Sequence, residues 1–183
     1  EKAPSVFLVN FEPEEESPIV FLRLRKAVAN NKTKVFALTS VVTKGLKKLD
    51  SQNILVRPGD ETKLIKDATA QWSNNPDKLV EKLHGQISKP DSIILVGERA
   101  ASVAGLLSAL LELAKGTGAK LAWIPRRAGE RAAIEVGLLP DLLPGGRLIS
   151  NPDSVNELAA IWGVEAKQIP QTPGLAAEEM IEA

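Results

Sequence analysis

The chain has 183 residues, with 23 Lys and Arg against 23 Asp and Glu, one His, and neither Cys nor Tyr. That length fits one domain or two small ones sharing a core, and 44% hydrophobic with 25% charged residues is an ordinary globular composition. Zero net charge removes the field that draws a protein to nucleic acid or anionic lipid. The lack of cysteine removes disulfides, thiolate metal sites and cysteine nucleophiles, and a lone histidine removes any zinc site built on two. No catalytic residue and no metal site is expected within these residues.

In chain order, Ser5 to Val9 is a short β-branched apolar run, suited to a buried strand. A turn is expected over Asn10 to Glu16. Ser17 then caps a helix with Pro18 at its first position, where the missing N–H costs nothing. Val20, Leu24, Ala27 and Val28 recur at helical spacing, Asn30-Asn31 stops the helix, and Val35 to Leu38 is the next strand. Asn53 to Val56 is a further strand, followed by a helix from Thr62 to Trp72, a break at Asn74-Asn75-Pro76, and a helix over Asp77 to Gln86. Ser92 to Val96 repeats the strand pattern, a turn at Gly97-Glu98-Arg99 leads into an apolar helix that runs to Lys115, and Leu121 to Ile124 follows as a strand. Ala128 to Val136 is predicted helical up to Gly137, and a loop-rich tail holds helices at Val155 to Trp162 and after Pro170 to Gly174.

Strand-helix-strand units at about 5–38 and 92–124 imply parallel strands with right-handed crossovers. The expected fold is α/β, in three layers around a mainly parallel sheet, as one domain over 1–183 with a loop-rich tail at 137–183. The longest apolar stretch, Val103 to Ala114, is interrupted by Gly105, Ser108 and Glu112, so no membrane span is expected. The chain opens without Met or a signal pattern and closes inside a predicted helix, and is expected to be a soluble piece of a longer one.

The sequence contains no GxGxxG, GxxxxGK[ST] or GxSxG. The turn after the first strand carries Glu12, Glu14, Glu15 and Glu16, which would repel a pyrophosphate; a solvated acidic loop explains it as well. Gly97-Glu98-Arg99-Ala100 stands where open α/β sheets bind ligands, or makes a local salt bridge or a contact to a neighbouring domain. Arg126-Arg127 with Arg131 either grip a phosphate or carboxylate, or lock a loop against Glu130 and Glu135, or pin an adjoining subunit. Pro144-Gly145-Gly146-Arg147 is more easily a turn than a phosphate loop. His84 belongs near a helix C-terminus, where it suits the dipole. Trp123 within a strand is expected in the core; Trp72 and Trp162 are too far from other signals to place.

The string Glu12 to Ala27, EPEEESPIVFLRLRKA, resembles a signature of molybdopterin oxidoreductases: a G-x-N-P-like turn, then His-Pro or Ser-Pro opening a helix with an R-x-R-K/R-A stretch. Lys34 to Leu38 stands at that family's next strand, Thr43 to Leu46 is similar to its "x-T-x-x-A" helix start, and Val56 to Glu61 to its "I-R-P-G-T-D". Gly97 to Arg147, Asn151-Pro152, Ala160 to Gly163 and Pro170 to Leu175 narrow the likeness. They resemble the family of the largest peripheral-arm subunit, the G subunit, of bacterial NADH:quinone oxidoreductase (respiratory complex I), in its actinobacterial form.

The resemblance implies a fold like that of formate dehydrogenase and DMSO reductase. It also implies a place in the large C-terminal region of the parent chain, which keeps that fold but generally lacks its cofactor. Iron–sulfur clusters carrying electrons from NADH toward quinone would lie in the missing N-terminal part. The partners implied are other peripheral-arm subunits, without nucleic acid or membrane insertion, at the cytoplasmic side of the membrane. The parent complex would be a proton-translocating oxidoreductase and this piece inactive alone. Where the family has D-P-R to hold a guanine dinucleotide, this chain has Thr39-Ser40-Val41. Its turn asparagine is Glu12 here, and the aspartate of P-G-T-D is Glu61. Glu12, Thr39, Ser40 and Glu61 therefore mark a vestigial pocket. Two alternatives remain: a genuine molybdopterin guanine dinucleotide domain, and a small-anion module built on Arg99, Arg126 and Arg127.

Overall fold

Five short segments, most of them apolar, become the strands of one sheet. In the computed structural model, which describes residues 2–70, 78–125, 127 and 129–183, the chain divides into two compact units, 1–126 and 127–183.

In the first unit, strands β1 (Ser5–Val9), β2 (Lys34–Thr39), β3 (Gln52–Leu55), β4 (Ile93–Gly97) and β5 (Lys120–Ile124) form a sheet in the order β3-β2-β1-β4-β5, with every pairing parallel. Successive residues of β1 serve opposite faces, as strand geometry requires. Phe7 and Val9 join one core with Phe36, Leu38, Ile94 and Val96. Val6 and Leu8 join another with Val35 and Ala37. A central strand coated on both sides reads as an unbroken apolar run, which is why SVFLV carries no alternation.

Helices α4 (Glu61–Ala70), α5 (Lys78–Ile87) and α6 (Leu106–Thr117) supply the first core, through Ile65, Leu83 and Leu110 among others. Helices α2 (Pro18–Asn31) and α3 (Lys44–Lys48) supply the second, through Phe21, Leu24 and Leu46. Burying each such side chain contributes about 1.5–3 kcal/mol. The α/β class and the parallel sheet thus agree with expectation.

Several details differ. The expected turn at Asn10 to Glu16 contains a single helical turn, α1 (Pro13–Glu16), capped by Glu12, whose carboxylate accepts from the Glu14 N–H at 3.4 Å. Ser17 stands at the N-cap of α2, but its side chain makes no capping bond. Phe21, Leu24 and Ala27 are the buried residues of α2, whereas Val20 and Val28 are only half-buried, so the buried stripe centres on the first three. The helix expected directly after the turn at Gly97-Glu98-Arg99 begins only at Leu106. A 3-10 turn covers Glu98–Ser102, Val103 is extended, and Gly105 takes a left-handed conformation (φ 73°) before α6 begins. Trp123 is not in the core: β5 is the sheet's edge, and the indole is 49% exposed. His84 lies half-buried in the last turn of α5. Trp72 and the break at Asn74-Asn75-Pro76 lie outside the described residues.

The second unit contains α7 (Glu130–Glu135), a small antiparallel pair β6 (Leu142–Leu143) and β7 (Arg147–Leu148), α8 (Pro152–Trp162), a 3-10 turn at Ala166–Gln168 and α9 (Ala177–Glu182). Its core is Leu143, Ile149, Val155, Leu158, Ala159 and Ile169. Pro144 to Gly146 is the hairpin turn between β6 and β7. Arg147 donates to the Pro144 carbonyl at 2.9 Å and to both Glu157 oxygens, at 3.2 and 2.8 Å. Helix α8 starts three residues before the expected Val155, because Asn151 caps it, accepting from the Asp153 N–H at 3.0 Å, with Pro152 at its first position.

Candidate functional site

All five strands of a parallel sheet end on the same side, so the loops after β1 to β4 gather at one edge. In this winding order the chain reverses direction between β1 and β4, and the crevice there is where such sheets hold ligands. The first unit has a cleft of about 780 Å³ at this place. Asn10 to Glu16 after β1, Thr39 to Thr43 after β2, Pro58 to Glu61 after β3, and Arg99 to Ala104 after β4 contribute its walls. Glu12, Thr39, Ser40 and Glu61 all line it.

Glu12 is 8% exposed. Its carboxylate accepts from the Thr43 hydroxyl through Oε2, and its Oε1 packs against Gly45, where any Cβ would collide with it. Thr43 is the N-cap of α3 and accepts from the Leu46 N–H at 3.1 Å. A carboxylate of the chain itself therefore occupies the ground in front of that helix start.

Glu61 is 3% exposed and folds back in the same way. Its Oε2 accepts from the Gly59 N–H at 2.6 Å, and its Oε1 from the Asn10 side-chain amide at 3.3 Å. Asn10 tolerates a left-handed backbone (φ 46°), which turns β1 into the loop. Thr39 spends its hydroxyl locally, donating to the Val41 carbonyl at 2.9 Å, and Ser40 and Val41 are exposed.

Arg99 does not pair with its neighbour Glu98. Its guanidinium reaches the loop after β1 and binds Glu16 Oε1 at 2.7 Å. The same oxygen accepts from the Glu12 N–H at 2.9 Å, while Glu16 Oε2 is buried without a partner. The turn after β4 is tied to the turn after β1 a second way: a Cβ on Gly97 would collide with the Asn10 carbonyl and come within 2.9 Å of Phe11 Cα. Gly97 thus serves a close approach of two backbones, a requirement its extended φ of −78° does not reveal.

The cleft therefore presents four carboxylates, of Glu12, Glu15, Glu16 and Glu61, and one guanidinium, of Arg99. A phosphate about 6 Å from an ionised Glu12 would be repelled by about 3 kcal/mol at an effective dielectric near 20, roughly a hundredfold in affinity. The residues present do not fit a dinucleotide pyrophosphate. Among the described residues no group of three or more His, Asp or Glu could hold a metal ion, and no helix is long and apolar enough to cross a membrane.

Of the anion-site arginines, Arg99 is engaged by Glu16, Arg126 lies outside the described residues, and Arg127 belongs to the second unit. Sequence reasoning missed Asn10 and Thr43 as members of this site. Their signal was position, since each follows a strand's carboxyl end.

The first unit is an open parallel α/β sheet of nucleotide-cleft geometry whose crevice carries acidic side chains in place of a glycine-rich phosphate loop. No protein-family model matches the chain. Over all its residues, however, it is 46% identical to the G subunit of NADH-quinone oxidoreductase from Streptomyces coelicolor, and 42% identical to the same subunit from Mycobacterium bovis and from Mycobacterium tuberculosis. It spans about a fifth (21%) of the length of each of these relatives.

Proposed function

We propose that residues 1–183 are a segment of the G subunit of a complex I and serve there as a cofactor-free scaffold with the molybdopterin-oxidoreductase-like fold. The observation that carries the placement is identity of 42–46% along the whole chain to that subunit from actinobacteria. Electrons pass from NADH toward quinone through iron–sulfur clusters held elsewhere in the parent chain. This segment contributes no ligand to them, consistent with its lack of cysteine. Its partners are other peripheral-arm subunits, at the cytoplasmic face of the membrane.

The cofactor-free reading rests on Glu12 and Glu61. In a dinucleotide site the ends of the strands offer bare backbone N–H groups to phosphate. Here the Gly59 N–H is taken by Glu61, and the ground before α3 by Glu12. Carboxylates that accept from the N–H and hydroxyl groups of their own loops keep those loops packed without a ligand, which suits a domain retained for shape and contact.

The test is to isolate the parent chain from its native membrane by an affinity tag. The proposal expects the other complex I subunits in near-equal amounts, NADH:quinone activity, and iron–sulfur signals by electron paramagnetic resonance. A parent chain that purifies alone, without those signals, overturns the assignment.

A further inference from the structure

Among the described residues the strand β5 is the outer edge of the sheet, and one side of its backbone has no strand beside it. Native sheets blunt such an edge with charge, proline or a covering element. On β5 the one charged residue is Lys120 at its start, which is paired with Asp91 at 2.7 Å. The following residues, Leu121 to Ile124, are all apolar.

Leu121 pairs in register with Ile94, and Trp123 with Val96. Residues in register on parallel strands point to the same face. Ile94 and Val96 are buried in the core beneath α6, and so Leu121 and Trp123 face that side too. Yet they are 40% and 49% exposed. Helix α6 packs on β5, and Leu107 and Leu111, one turn apart on it, are 47% and 46% exposed. Large apolar side chains are thus left uncovered on the edge strand and on the helix that packs on it, an arrangement that marks a contact surface.

We propose that this edge receives a further strand from the part of the parent polypeptide beyond residues 1–183, which hydrogen-bonds to β5 and covers Trp123. The inference rests on the reading of the chain as a segment of a longer complex I subunit. Two observations select that occupant. The relatives are about five times as long as this chain. The strands that follow β5 among the described residues, β6 and β7, pair with each other and not with β5. A strand on the same polypeptide also arrives at high effective concentration, without a separate association step. Doubly wound sheets of the order 3-2-1-4-5 take their sixth strand at this position.

The test uses the full-length parent chain in its purified native assembly. A photoreactive benzoylphenylalanine replaces Trp123, and its cross-links are mapped by mass spectrometry. In parallel, amide exchange along β5 is followed in the unaltered protein. The proposal expects a cross-link within one polypeptide to a peptide outside residues 1–183, and exchange across Leu121 to Ile124 slowed at least about a hundredfold over an open edge. A cross-link to another subunit, to a second copy or to a peptide within 1–183 overturns it, as does fast exchange in the unaltered protein. Failure of the subunit assignment is read separately, from the identity of the co-purifying proteins. An intrachain cross-link in a chain that purifies alone would keep the edge proposal and discard the assignment.

Discussion

Gly97→Ala and Gly85→Ala are the same chemical change with opposite expected signs. At Gly97 the new methyl would overlap the Asn10 carbonyl oxygen, and sit 2.9 Å from Phe11 Cα and 3.0 Å from the Asn10 carbonyl carbon. All three atoms are backbone, so no rotamer change relieves the clash. Asn10 and Phe11 continue β1, which is bonded on both sides to β2 and β4 and cannot shift alone. Overpacking of this kind costs about 1–3 kcal/mol, and a clash against fixed backbone belongs at the upper end, about 3 kcal/mol. At Gly85, inside α5, a Cβ meets nothing within 4 Å. There alanine removes the helix penalty of glycine and adds about 1 kcal/mol of stability. For a chain of this size 1 kcal/mol is worth roughly 3–4 °C in Tm. Thermal unfolding followed by circular dichroism should place Gly97→Ala about 10 °C below the parent and Gly85→Ala about 3 °C above. If Gly97→Ala falls within about 0.5 kcal/mol of the parent, the close approach of the two turns is wrong.

Phe21→Ala should cost about 3–5 kcal/mol by urea unfolding, because the ring is buried against the second core. Leu22→Ala, at a side chain more than half exposed, should change stability by less than about 0.5 kcal/mol; equal losses would refute the buried face of α2. Hydrogen bonding and the charge of Arg147 hold the Glu157 carboxyl below the usual carboxylate range. A depressed folded pKa contributes stability above the unfolded value of about 4.3, and that contribution is lost as pH falls through the folded value. The Tm gap between parent and Glu157→Gln should therefore be flat near pH 7, shrink in acid, and narrow in high salt; a gap that widens in acid contradicts the pairing. Replacing Thr39, Ser40 and Val41 by Asp, Pro and Arg, together with Glu12→Asn, should not by itself yield stoichiometric pterin in the parent chain. Glu61 would still occupy the Gly59 N–H, and one pterin per chain in that variant would refute the cofactor-free reading.

The central strands β1, β2 and β4 are legible because each holds a short unbroken apolar run, the signature of a sheet coated on both faces. The helix at Pro18 is legible from its proline. The similar Asn-Pro signal at Asn151-Pro152 reads as a loop, although it caps α8. What could not be read is set by distant partners. Trp123 looks like core until β5 is known to be the edge, and Glu98 looks like the partner of Arg99 until the sheet brings Glu16 alongside. Neighbouring residues point apart, so adjacency of opposite charges is a poor guide. Glu12, Thr39, Ser40 and Glu61 do meet in one cleft, for a reason the sequence contains: each follows a strand, and parallel strands end together.

The central claim is that the crevice at these strand ends holds no cofactor in the working assembly. The direct measurement is made on the native complex carrying the parent chain: iodine oxidation, fluorescence of released pterin, and molybdenum and tungsten counted by mass spectrometry. The account predicts no pterin and neither metal above background. Pterin near one per chain would contradict it and make the cleft between Glu12 and Glu61 a cofactor site.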